Sequence, residues 1–131
     1  MEAKNTLKLY SAKNAAPLNL VGKWVNELGS VMTVDKFKNG SFSGTYESTV
    51  SGGGGSVSGT LSGVVAGDTI GFCVNWEPTY SSVTSWSGKL LATPQGDPYI
   101  YTLWQLSQGV DDAADWWQSF LAGSDTFWRQ A

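Results

Sequence analysis

A chain of 131 residues and 14.0 kDa has the size of one domain with a single core, and at 15% charged residues with a net charge of −3 it lacks the clustered Lys and Arg that a nucleic-acid partner requires. The absence of His removes the commonest general base and metal ligand. The single Cys, Cys73, excludes an intramolecular disulfide or a multi-cysteine metal site and reads as a small, reduced strand residue.

Residues 1–19 scatter lysines without a continuous apolar run, so they read as a disordered or extraneous leader with no recognisable signal peptide. The folded domain is expected over 20–131. No stretch of about 18 apolar residues occurs anywhere, and no membrane span is expected. From Leu20 onward, short alternating segments are punctuated by Gly, Asn, Asp and Pro, a β-meander pattern. Strands are predicted over Leu20–Glu27, Val31–Phe37, Ser41–Val50, Ser56–Val64, Thr69–Trp76, Ser82–Leu91, Tyr99–Ser107 and Ser124–Arg129. Asn39-Gly40, after Lys38, is a hairpin turn signal because both residues tolerate positive φ. Gly52 to Gly55 are four consecutive glycines, suited to a mobile loop. Asp111 to Phe120 is the one segment of helical character, with Asp111, Asp112 and Asp115 as its solvated acidic start. Eight strands joined by short loops predict an all-β fold, an eight-stranded antiparallel up-and-down barrel that leaves no sheet edge exposed.

Period-two alternation assigns the faces. Trp24 and Asn26 share one, as do Tyr46, Ser48 and Val50. Phe72, Val74 and Trp76 share another, followed by Ser82, Thr84 and Trp86, and then by Ile100, Thr102, Trp104 and Leu106. Charged residues fall on the opposite sides. A purely structural core would favour Val, Ile and Leu, because a buried hydroxyl without a partner costs roughly 1–3 kcal/mol. Rows mixing indoles with Ser, Thr, Asn and Tyr therefore suggest a ligand pocket. Each tryptophan taken alone also reads as core; Trp24 is assigned to the barrel bottom, and packing is the default for Trp116 and Trp128.

Six segments follow one another in the order of a known family: Gly22-Lys23-Trp24-Val25-Asn26-Glu27-Leu28-Gly29-Ser30, then Gly44-Thr45-Tyr46-Glu47-Ser48, Gly71 to Trp76, Thr84 to Gly88, Trp104-Gln105-Leu106 and Gly123 to Phe127. Over about Leu20 to Phe127 the chain resembles the avidin and streptavidin family. The resemblance implies a streptavidin-like barrel that binds biotin without transforming it; streptavidin is itself an instance of the rule that eight strands enclose room for one small ligand. It implies Asn26, Ser30 and Tyr46 as donors to the ureido oxygen, and Ser48 and Asp125 as acceptors for the ureido N–H groups. Thr84 then faces the thioether sulfur, while Ser82 and the backbone of Gly52 serve the valerate carboxylate. Trp76, Trp86 and Trp104 form the walls, with Val50 and Leu106 closing gaps, and Trp117 is donated by a neighbouring subunit of a homotetramer. Secretion and biotin sequestration are also implied, and no cofactor or metal.

Two departures carry expectations of their own. The glycine-rich loop Ser51–Gly55 should loosen the carboxylate end. Gln105 and Ala122 are smaller or more polar than the family's usual interface residues and should weaken one subunit contact. Two other classes stay open on the residues alone. A barrel carrying a different small ligand would not be expected to keep Asn26, Ser30, Tyr46, Ser48, Thr84 and Asp125 together. An enzyme finds little support without His, without a Gly-x-Ser-x-Gly elbow, and with Asp125 and Glu47 on opposite faces.

Overall fold

The computed structural model describes residues 8–9, 18–49, 56–110 and 119–130. Nine strands run through them: β1 (Lys8–Leu9), β2 (Gly22–Asn26), β3 (Val31–Lys38), β4 (Ser41–Ser48), β5 (Val57–Ala66), β6 (Thr69–Asn75), β7 (Ser82–Ala92), β8 (Pro98–Gln108) and β9 (Phe120–Arg129). From β2 to β9 each strand pairs antiparallel with its neighbour in sequence. The last returns to the first through Trp24↔Arg129, Val25↔Trp128 and Asn26↔Phe127. That closes the expected eight-stranded barrel and leaves none of these strands as an open edge.

The β3–β4 hairpin shows how local chemistry sets register. Asn39 and Gly40 adopt φ of 54° and 80°. This two-residue turn matches the twist of its flanking strands and places Lys38 opposite Ser41. Burial then alternates as the period-two pattern requires, with Trp24, Asn26, Phe42, Tyr46, Phe72, Val74, Thr84, Trp86, Ile100 and Thr102 all turned inward.

Two segments differ from expectation. Lys8–Leu9, inside the segment read as a leader, pair with Leu91 and Ala92 of β7. The reason lies in strand length: β7 outruns β6, whose ladder ends at Thr69↔Lys89, and leaves main-chain groups to satisfy. The final strand starts at Phe120, where helix was expected, four residues before Ser124. There β8 extends to Gln108 and offers partners, Ser107↔Phe120 and Leu106↔Leu121. Of the rest of the segment of expected helical character, Ser119 is buried and 111–118 lie outside the described residues.

The interior is divided along the barrel axis. At one end Leu20, Trp24, Met32, Val34, Phe42, Leu61, Ile70, Leu90, Ile100 and Phe127 belong to a close-packed apolar cluster. Trp24 is fully buried, donates from Nε1 to the Leu20 carbonyl at 3.1 Å, and lies under the Arg129 guanidinium, 4.3 Å from the ring centre. Arg129 in turn donates to the carbonyls of Val21 and Asn19, sealing this end. Towards the other end the inward rows turn polar: Phe42 gives way to Tyr46 and Ser48, Leu90 to Trp86, Thr84 and Ser82, and Phe127 to Asp125.

Candidate functional site

At that second end lies a cavity of about 520 Å³. Its lining includes every described residue of the expected set: Asn26, Ser30, Tyr46, Ser48, Trp76, Ser82, Thr84, Trp86, Trp104, Leu106 and Asp125. Val50, Gly52 and Trp117 lie outside the described residues. The volume falls in the range of small-molecule sites, and the walls are mostly apolar with few polar groups.

The polar groups are oriented by their own hydrogen bonds. The Asn26 Oδ1 accepts the backbone N–H groups of Leu28 at 3.0 Å and Ser30 at 2.9 Å. Both are obligate donors, so the amide oxygen must face the β2–β3 turn and the amide nitrogen must face the cavity. That nitrogen approaches the Tyr46 hydroxyl at 3.4 Å. The Gly29 N–H and Asn26 N–H close the same turn, on the carbonyls of Asn26 and Ser30. The Tyr46 phenol is pushed well above its ordinary range by burial first, then by the charge of Asp125, against a bond with Ser30. It therefore keeps its proton and serves as a donor. Asn26, Ser30 and Tyr46 together form a donor cluster at the cavity floor.

Asp125 supplies the opposite character. It is 6% exposed, and its Oδ2 accepts the Trp86 indole N–H at 2.9 Å. The strand beneath is held as Thr102 Oγ1 donates to the Asp125 carbonyl at 3.0 Å. Desolvation raises the Asp125 carboxyl to about 6, opposed by the Trp86 bond and reinforced by the neighbouring Glu27. A carboxylate carries about four acceptor positions, so the indole leaves capacity for a further N–H.

The apolar walls are interlocked. The Trp86 ring stacks on Phe72 at 4.9 Å and 15°, and lies 4.9 Å from Tyr46. Trp76 meets Tyr46 edge-on at 5.8 Å and donates from Nε1 to Thr84 Oγ1 at 2.9 Å. Both buried indole N–H groups are thus satisfied, which fixes the planes of the rings. Trp104 packs closely against β9 because the facing residue there is Gly123; a Cβ at that position would sit 2.6 Å from the indole.

Sequence reasoning missed Leu28, Val57, Tyr80, Gln108 and Leu121, which also line the cavity. Leu28 and Tyr80 sit in turns, where no period predicts a face. Leu121 continues the inward row of Asp125 and Phe127 and was legible once β9 is begun at Phe120. Gln108 likewise ends the row of Thr102, Trp104 and Leu106. Val57 was obscured by the repeated Ser-Gly pairs of β5. Among the described residues, no group of three Cys, Asp or Glu side chains converges to hold a metal ion.

Donors on the floor, one acceptor carboxylate beside them and indoles around suit a flat, amide-like group that carries both a carbonyl and N–H donors. The comparisons agree with this architecture. Residues 14–130 match the model of the avidin family. Avidin from Gallus gallus is 32% identical over 124 residues, covering 88% of this chain and 81% of that protein. Afifavidin from Afifella pfennigii is 37% identical over 110 residues, covering 79% of this chain and 65% of its own. Among solved structures, a biotin binding protein from chicken superposes with a TM-score of 0.79 at 29% identity, covering 89% of this chain and 100% of that one. The barrel, the order of its motifs and a match over nearly the whole length lead to one conclusion: the chain belongs to the avidin family.

Proposed function

We propose that the cavity binds biotin and holds it without chemical change. The observation that carries this reading is the donor cluster of Asn26, Ser30 and Tyr46 facing the acceptor Asp125 inside an indole-walled cavity. A ureido group has the complementary pattern, one strong acceptor oxygen between two N–H donors. The oxygen takes the three donors, much as an oxyanion hole would, and no reaction follows. Asp125 and Ser48 accept the N–H groups. Thr84, already bonded to Trp76, faces the thioether, and Ser82 with the backbone of Gly52 meets the carboxylate. Trp76, Trp86 and Trp104 cover the rings with Leu106 and Val50, which strengthens the polar bonds by excluding water. The solved relative described as a biotin binding protein supports the choice of ligand.

The working unit in this reading is a homotetramer, in which Trp117 of one subunit closes a neighbour's cavity. Towards the cavity end the outer face of β7, β8 and β9 supports self-association, because Val83, Leu103 and Phe120 stand exposed among Ser85, Ser87, Gln105, Ala122 and Ser124, while the Lys89 of the same outward row lies further along β7, paired with Asp68. The biological role is extracellular sequestration of biotin, in keeping with the family.

Titration of tryptophan fluorescence with biotin tests the binding, run beside size-exclusion chromatography. A stoichiometric break at one biotin per chain and an oligomeric elution volume are expected. No fluorescence response at high biotin concentration would refute the ligand, and monomeric elution would refute the shared Trp117.

A further inference from the structure

One ionisable group beside the cavity has no place in the ligand pose. Glu27 follows Asn26 at the end of β2, and its Oε1 accepts the backbone N–H of Thr126 at 2.9 Å. That N–H belongs to the peptide linking Asp125 to Thr126, so the bond delivers the Glu27 carboxylate to the shoulder of Asp125 across 99 residues of sequence. That anchor sets the Glu27 carboxylate beside the Asp125 carboxyl, where Glu27 favours the protonated form of Asp125 and Asp125 favours the ionised form of Glu27. Two carboxylates in contact cannot share a hydrogen bond unless one holds a proton. We propose that Glu27 is a positioning residue for Asp125: anchored on the Thr126 amide, it takes a hydrogen bond from the protonated Asp125 carboxyl and thereby sets the acidity at which the cavity releases its ligand.

The direction of proton transfer follows from the surroundings of each group. Glu27 is exposed; burial is the largest single influence and works against its charge, but the hydrogen bonds it accepts, from Thr126 first, together outweigh it and hold the group below its ordinary value. Asp125 is buried and raised to about 6, so the shared proton resides on Asp125. The other groups facing Asp125 do not compete. From β4 Tyr46 stays protonated, from β2 Asn26 and from β7 Trp86 donate without titrating, and from β8 Thr102 bonds the main chain. Among the described residues, no Lys or Arg perturbs either carboxyl. A protonated Asp125 directs its hydrogen at Glu27 and loses its strength as acceptor for a ligand N–H. Affinity then falls as pH drops through the Asp125 midpoint. This inference rests on the reading that a ligand N–H bonds Asp125.

The test compares wild type with Glu27→Gln, whose amide oxygen still accepts the Thr126 N–H, by two readouts. The first is the ratio of biotin Kd at pH 5 to that at pH 7.5. With a midpoint about 6 the wild-type ratio is expected to be about tenfold, and measurably closer to one in Glu27→Gln once the neighbouring charge is gone. The second is the carbon-13 shift of the Asp125 carboxyl through a pH titration without ligand, whose midpoint should move to lower pH in the variant. Glu47→Gln, which changes net charge equally at a distance, should leave both unaltered. Unmoved profiles and midpoints in Glu27→Gln overturn the proposal even if biotin binds. A shifted carboxyl midpoint without biotin binding at any pH upholds the carboxyl pair and removes biotin as the ligand.

Discussion

Asp125 should cost the ligand-free protein stability at neutral pH, and Asp125→Asn should recover it. The folded carboxyl titrates at about 6 against an ordinary value of 3.8. A raised folded value means that the protonated form is the favoured one in the barrel. Its stabilising contribution is complete below the ordinary value and is lost as pH rises through 6. Holding the ionised form at pH 7.5 therefore costs about 3 kcal/mol, a ceiling because one side of the carboxyl opens onto the cavity. Asn is neutral at every pH, keeps an oxygen for the Trp86 indole, and offers an N–H to Glu27. Urea unfolding of the two proteins without ligand should show Asp125→Asn more stable at pH 7.5 by up to about 3 kcal/mol, narrowing to about half of that at pH 5. Among the described residues the window between pH 5 and 7.5 singles out this group, since the other carboxyl there with a resolved shift, Glu27, is held low. A variant no more stable than wild type at pH 7.5, or a gap that widens as pH falls, would refute the reasoning.

Other substitutions separate binding from folding. Asp125→Ala strips the acceptor from the Trp86 indole and from the ligand, so isothermal titration should show biotin affinity reduced by about fivefold to about 150-fold, as loss of a bond worth roughly 1–3 kcal/mol requires. Thr84→Val keeps the shape but leaves the buried Trp76 N–H without a partner, and chemical denaturation should register a loss of about 1–3 kcal/mol. Gly123→Ala places a methyl group 2.6 Å from the Trp104 indole and pushes that ring into the cavity. Because a side chain can yield where backbone cannot, biotin affinity should fall more than unfolding stability; equal losses in both would count against Trp104 as a cavity wall.

Much of this protein was readable before folding because the information is local and periodic. Alternation in Ser82–Ser87 and Ile100–Ser107 sorts side chains to two faces with no knowledge of partners, since successive Cβ atoms point oppositely in any strand. Asn39-Gly40 specifies its hairpin by backbone preference alone. The mixture of indoles and hydroxyls on the inward rows revealed a cavity, because such rows are unfavourable in a filled core. The order of the six segments carried the family.

The tertiary structure decided what depends on partners far apart in sequence. The start of β9 at Phe120 follows from how far β8 extends, and with it comes the inward place of Leu121. Leu28 and Tyr80 reach the cavity from turns, where side-chain direction obeys no period. The bond between Trp86 and Asp125 spans 39 residues, and the contact of Glu27 with the Asp125–Thr126 peptide spans 99. Neither is encoded in spacing. The first exists because β8 fixes the register between β7 and β9, Trp86 opposite Trp104 and Thr102 opposite Asp125; the second exists because β9 closes onto β2 with Asn26 opposite Phe127, and a slip of one residue would turn Asp125 away from the cavity. The sequence alone determined which side chains face inward along each strand; closure of the barrel determined which of them meet, and so the proton balance of the site.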